Sequence, residues 1–284
     1  MAKTWLITGA ARGLGMQIAR AALAAGDNVV ATARDASSIH TALGDAGGRV
    51  LAATLDVTDG AAPQRVVEAA LARFGRIDVL VNNAGYGHLG IFEESTEEDV
   101  RRQFETNVFG LMRMTRAALP AMRRQRAGRI INLSSIGGIV PFELCTLYGT
   151  SKFAVEGFSV NLARDVAPFG IHVTVVEPGF FRTDFLDPSS ARFSANTIAD
   201  YDATRAAHEA AYKAHNHQQL GDPEKLGQAI VQLSNEANPP AHLLLGSDAI
   251  DYVGKELRAH LDELERWKGL SVTTDHDDAY QSAA

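Results

Sequence analysis

The first twenty-six residues constrain the fold most. TWLIT (4–8) is a short apolar run followed by glycine, the pattern of a buried strand. GLGMQIARAALAAG (13–26) has apolar residues at helical spacing and stops at Gly26. Between them, TGAARGLG sets Gly9, Gly13 and Gly15 around Arg12 and Leu14. Glycines let a chain turn sharply and bring its backbone close to a ligand, and a helix start offers unpaired N–H groups to an anion. The spacing is G-x-x-x-G-x-G rather than the G-x-G-x-x-G of many dinucleotide sites, and glycines also serve helix–strand packing. The strand before and the helix after favour binding of a phosphate-bearing ligand.

The alternation continues. Strands are expected at 28–33, 49–57, 77–85, 128–135 and 171–179, with helices at 61–74, about 96–124 and 146–170. A region of irregular, helix-leaning pattern covers about 180–222, followed by a helix at 223–237, a strand at 242–246 and a helix at 248–267. This order predicts an α/β fold: one doubly wound parallel sheet, a single domain over 1–267 with a helical insertion at 180–222. The polar, acidic tail 268–284 is expected to be disordered. Thr58 or Asp59 is expected to cap the helix at 61–74.

Charge and composition exclude several classes. The formal charge of -7 argues against a nucleic-acid partner. The arginine cluster MRRQRAGR (122–129) closes a helix, where cations are favourable. Cys145 is the single cysteine, so the chain suits a reducing compartment. No run spans a bilayer and no leader precedes the first strand, so a cytoplasmic location is expected. His208, His215 and His217 lack the spacing of a zinc set and read as part of a polar loop, so no metal is expected. The sequon NLS (132–134) falls in an expected buried strand and is discounted.

Tyr148 and Lys152 stand four apart in LYGTSKF, one turn of a helix, on one face. A solvated face is the ordinary reading. The chemical one is that the cation eases proton exchange at the phenol, whose unperturbed pKa is about 10. Asp56, beside Val57 after the third strand, lies where a sheet of this kind opens its ligand crevice, and Asn82-Asn83-Ala84-Gly85 ends the fourth strand at the same edge.

Thr8-Gly9-x-x-x-Gly13-x-Gly15, Asn82-Asn83-Ala84-Gly85, Ser135, Tyr148-x-x-x-Lys152 and Pro178-Gly179, in this order, resemble the short-chain dehydrogenase/reductase family. The likeness covers about 4–185, and 147–185 looks most like the branch of hydroxysteroid and retinol dehydrogenases and bacterial carbonyl reductases. It implies a Rossmann-type domain that binds NAD or NADP and moves hydride to or from a carbonyl or alcohol. Position by position, it implies Tyr148 as acid/base and Lys152 as the residue that binds the nicotinamide ribose and tunes that tyrosine. It likewise implies Ser135, rather than Ser134, holding the substrate oxygen. Asn107 would anchor a water linking the lysine to solvent, and Thr183 would contact the nicotinamide amide.

Phe142, Leu144, Cys145, Phe181, Phe185 and Leu186, with His88 and Leu89, are the candidate pocket residues, and their character points to an apolar ketone, aldehyde or alcohol. A 3-ketoacyl-type reductase, a mainly oxidative dehydrogenase and a non-catalytic NADP-binding redox sensor are the alternatives. The second strand ends without an acid, while Arg34 follows it and Arg12 sits in the glycine turn. Converging on one 2′-phosphate, they favour NADP(H). Asp35 is expected to start the next turn instead. Members of the family usually pair through the two long helices, here about 96–124 and 146–168, so a homo-oligomer is expected, a dimer rather than a tetramer.

Overall fold

The computed structural model describes residues 2–276. Nine strands are described: β1 (Thr4–Ile7), β2 (Asn28–Ala33), β3 (Val50–Thr54), β4 (Val79–Asn82), β5 (Gly87–Leu89), β6 (Gly128–Leu133), β7 (Ile171–Pro178), β8 (Ala191–Phe193) and β9 (His242–Leu245). The helices are α1 (Gly13–Ala24), α2 (Ser37–Leu43), α3 (Ala62–Phe74), α4 (Glu97–Phe104), α5 (Leu111–Gln125), α6 (Thr146–Val166), α7 (Asp202–His215), α8 (Pro223–Asn235) and α9 (Ser247–Ser271).

Seven strands form one parallel sheet in the order β3-β2-β1-β4-β6-β7-β9. The order reverses between β1 and β4, and a crevice opens there beyond the strand C-termini. Alternation along the strands builds a core on each face. Trp5, Ile7 and Val29 pack with Ile18, Leu226 and Ile230 of α1 and α8 on one side. Leu6, Val30 and Leu80 pack with Val66, Met114 and Met122 of α3 and α5 on the other. α1 and α8 touch closely because Gly227 has no β-carbon; one would come 2.5 Å from the Gln17 carbonyl.

The expected strands and the helices at 13–26, 61–74, 146–170 and 223–237 are present, with ends shifted by a few residues at most. Arg123 and Arg124 close the last turn of α5 as expected. The helix at 61–74 has no side-chain cap on its first turn; Asp59 instead accepts the Ala61 N–H just before it. The long helix expected over 96–124 is interrupted by a π turn, Glu105–Gly110, between α4 and α5. Such turns carry one extra residue and recur at functional sites. His208 and His215 lie on α7 rather than in a loop. α9 runs to Ser271, past the expected start of the tail, and 277–284 lie outside the described residues. The insertion also supplies β8, which pairs in parallel with β5 to form a small second sheet, Gly87 opposite Ala191 and Leu89 opposite Phe193.

Candidate active site

A cavity of about 540 Å³ lies over the β1/β4 switch, within the range of small-molecule sites. One half is built by the glycine turn. Gly9 (φ +67°) and Gly13 (φ +54°) take the left-handed conformation that side chains resist. Thr8 and Asn83 fix the turn to β4: the Asn83 side-chain amide donates to the carbonyls of Thr8 (2.9 Å) and Gly9 (3.0 Å), while Asn83 and Ala84 N–H donate to the Thr8 hydroxyl. Gly15 is off the wall, packed under Gly9, where a β-carbon would lie 2.3 Å from the Gly9 carbonyl. α1 begins at the cavity with no acid in its first turn and no side-chain cap, so its first N–H groups remain for an anion. Leu14, Arg34, Asp56 and Val57 line the same half, with Asn83, Ala84 and Gly85 opposite. This half therefore fits a nucleotide cofactor.

One charged residue there differs from the sequence expectation. Arg12 does not converge with Arg34. Its guanidinium donates to the Ser189 hydroxyl (2.6 Å) and carbonyl (2.9 Å) and to the Ser190 hydroxyl (2.8 Å), strapping the insertion to the glycine turn. Asp35 turns away as expected, accepting the N–H and hydroxyl of Ser37.

The other half brings Ser135, Tyr148 and Lys152 to one wall. Ser135 follows β6, and its oxygen accepts the Gly137 N–H (3.1 Å). Gly138 lets α6 approach, a β-carbon there lying 3.1 Å from the Lys152 backbone. Ser134 points to the back, its hydroxyl donating to the Lys152 carbonyl. Lys152 is buried, donates to the Leu133 carbonyl (2.8 Å) and sits 5.7 Å from the centre of the Tyr148 ring. Burial pushes its pKa down to about 8, with Glu156 opposing. Burial raises the Tyr148 phenol above its ordinary value, against the hydrogen bond with Ser135. Desolvation, and not the Lys152 cation, sets that direction. Asn107 is behind the wall, in the π turn. It clamps Tyr86, accepting its N–H (3.1 Å) and donating to its carbonyl (2.9 Å), and it also donates to Ser151 (3.1 Å).

Pro178, Gly179 and Thr183 line the cavity after β7. Gly179 leaves room for Asp248, whose carboxylate accepts the Phe180 N–H. Thr183 turns its hydroxyl to the Phe185 N–H, which opens the short helical turn that follows. Phe142, Cys145, Phe181, Phe185, Leu186 and Leu89 are on the wall, and Phe185 lies 5.5 Å from Tyr148, ring to ring. Leu144 and His88 are not. Leu144 is buried at φ +59° with its carbonyl accepting Gly90 N–H. His88 is buried against Ser194 and Ser95, its pKa lowered by that burial.

Sequence reasoning missed Tyr86, Arg102, Arg192 and Tyr212, all on the wall. Tyr212 reaches in from α7, 3.2 Å from the Cys145 sulfur, and donates to the Glu143 carbonyl (2.8 Å). It also missed a buried pair behind Lys152: Glu156 and Glu177, joined by His242, whose Nδ1 is 2.7 Å from Glu177 and 3.5 Å from Glu156. Acids in helices and strands give no sign of burial in sequence.

Residues 3–193 match the family model described as short chain dehydrogenase. The chain is 38% identical to oxidoreductase BOA17 of Botryotinia fuckeliana over 96% of its length and all of that protein. It is 39% identical to 3-ketodihydrosphingosine reductase of Bacteroides thetaiotaomicron over 85% of its length and 87% of that protein. A short-chain dehydrogenase of Streptomyces avermitilis has a similar structure, with a TM-score of 0.89, 42% identity, and coverage of 97% of this chain and 100% of that one. ElxO with NADP bound (TM-score 0.71, 30% identity, 86% and 96% covered) and a Burkholderia phymatum family member in complex with NAD (0.81, 25%, 93% and 95%) are also similar. With its sheet order, its glycine turn and its Ser135–Tyr148–Lys152 wall, the chain belongs to the short-chain dehydrogenase family of oxidoreductases.

Proposed function

We propose that this oxidoreductase uses NADP(H) to interconvert an apolar ketone or aldehyde and its alcohol, with Tyr148 as acid/base. The observation that carries the reading is the convergence of the Ser135 hydroxyl, the Tyr148 phenol and the Lys152 ammonium on one apolar wall facing the glycine turn. The nicotinamide, when bound, supplies or accepts the hydride. In reduction, Tyr148 gives its proton to the carbonyl oxygen while the Ser135 hydroxyl donates a hydrogen bond to the same oxygen, stabilising the charge that develops there. Lys152, positioned by the Leu133 carbonyl, stabilises the phenolate left behind. Asn107 holds Tyr86 and thereby the floor of the site. In oxidation the phenolate takes the alcohol proton.

NADP is preferred over NAD because β2 ends without a free acid and Arg34 lies on the cavity wall. Relatives solved with NADP and with NAD both occur, so the residues of this chain carry the choice. A reducing, cytoplasmic setting suits the free thiol of Cys145.

Turnover of a panel of apolar ketones, read as loss of NADPH absorbance, tests the reading. Tyr148→Phe removes the exchangeable proton and is expected to cut turnover by roughly a hundredfold or more, with cofactor affinity kept. A Phe variant with wild-type turnover sinks the assignment. We further propose pairing of two copies through α4, α5 and α6, where Phe109 and Phe153 are about half exposed. Light scattering at micromolar concentration is expected to give twice the 30.4 kDa chain mass; a monomer rules this out.

A further inference from the structure

The charge of the cavity opposes the charge of the chain. Arg12, Arg34, Arg102, Arg192 and Lys152 line it against only two carboxylates, Asp56 and Asp184, in a chain of net charge -7. Arg12 and Arg34 belong to the nucleotide half and Lys152 to the catalytic wall. Arg102 and Arg192 belong to neither, and both stand at Tyr86. The Arg192 guanidinium lies 5.6 Å from the centre of the Tyr86 ring and makes no ion pair among the described residues. Among the described residues Arg102 has one ion-pair partner, Glu98, 3.1 Å away on the exposed face of α4, a contact of the kind worth little, and Asp99 is also within its electrostatic reach.

The path from the catalytic wall to these cations is apolar. Phe185 rests 5.5 Å from the Tyr148 ring, and its ring edge is 3.1 Å from the point where a β-carbon on Gly87 would lie. Gly87 opens β5 and pairs with Ala191, next to Arg192. Leu89 and Leu186 line the same stretch. β8 therefore puts Arg192, and α4 puts Arg102, on the cavity wall beyond Phe185 as seen from the phenol.

Resting on the reading above, and deepening it, we propose that the substrate is an apolar carbonyl or alcohol with an anionic group at its other end, held by Arg192 and Arg102 over Tyr86. A guanidinium offers a forked pair of donors that matches a carboxylate or a phosphate, and an apolar channel with a cationic end selects for both features of such a ligand.

The test compares three carbonyl compounds of equal length with the NADPH-loaded enzyme: a straight-chain oxo acid, its neutral amide and the corresponding amine. The acid is expected to exceed the amide in kcat/KM by about tenfold or more, with the margin shrinking as salt is added. In the Arg102→Ala, Arg192→Ala double variant the acid-to-amide ratio is expected to fall to about one, and in Arg192→Glu to tilt toward the amine. A phosphate ester that outperforms the acid, with the same dependence on both arginines, keeps the clamp and names phosphate as its ligand. A wild-type ratio near one, a ratio unchanged in the double variant, or a rise in KM for NADPH with that ratio unchanged overturns the proposal. If none of the carbonyls is turned over, the reading of function fails instead. Calorimetry of the acid and the amide on the cofactor-loaded protein then decides the clamp by itself, tighter binding of the acid supporting it and equal binding overturning it.

Discussion

The sheet with its flanking helices and the insertion at 180–222 are held by different forces. Every residue of β1 and β4 is buried, and the two core clusters join β1, β2, β4, β6 and β7. By contrast, α7 has no buried residue, and the insertion around it buries little apolar surface beyond Ala191 and Phe181. The insertion is pinned at separate polar points. Arg12 holds Ser189 and Ser190, and Tyr212 holds the Glu143 carbonyl, while Asn216 ties the insertion to itself at Asp187. Glu94, buried before α4, accepts the Ile198 N–H and pairs with Arg205. A region held by apolar area opens only with the whole domain, whereas one held by a few polar pins can open alone. The catalytic wall sits on the first kind of structure and the lid of the cavity on the second.

The largest expected contrast comes from one truncation in each region. Leu80→Ala, at a fully buried site, is expected to cost about 2–5 kcal/mol of global stability, read by urea titration. Glu94→Ala is expected to cost less, about 1–3 kcal/mol, and to show first as faster proteolysis within 194–222. Equal global losses with no local cleavage would erase the distinction.

A smaller effect separates the two arginines of the nucleotide half. Arg34→Ala is expected to lower kcat/KM for NADPH about tenfold with NADH little changed, since a charge-assisted bond to phosphate contributes about 1.5–3 kcal/mol. Arg12→Ala is expected to change both cofactors alike, because it frees the strap on Ser189 and Ser190. An NADPH-specific loss at Arg12 would put it on the phosphate instead.

The smallest effect is a pH slope. Glu156 and Glu177 are both raised by burial, with their mutual contact keeping one proton between them; Lys152 and the His242 ring face them. The folded chain then binds a proton that the unfolded chain has released. Stability is full below the ordinary carboxylate range and falls as pH rises through neutrality. Glu156→Gln is expected to flatten that fall, measured as melting temperature against pH. An unchanged slope would place the proton elsewhere.

The sheet was legible because its strands are mostly apolar runs of a few residues separated by helices of clear period, as in NVVATA and IHVTVVEP. The catalytic wall was legible because Tyr148 and Lys152 need only one helix turn to meet. What the insertion contributes was not. β5 and β8 have three residues each, too short for a period, and pair across about a hundred positions of sequence. Glu94 reads as one more surface acid in IFEESTEED, and only the fold buries it. Arg12 reads as a phosphate ligand because the serines that engage it lie 177 and 178 positions away.

The π turn at 105–110 has a consequence for how this chain can change by insertion and deletion. The bulge takes up one residue more than a regular turn, so α4 and α5 keep their faces on the domain while Asn107 reaches Tyr86. Each residue advances a regular helix by about 100°, so the same residues wound without the bulge would rotate α5 by that angle. Met114, Ala118 and Met122 would then swing off the sheet. Deleting one residue from the turn removes the bulge and keeps that phase, so a chain shortened there is expected to keep its core and lose the hold of Asn107 on Tyr86.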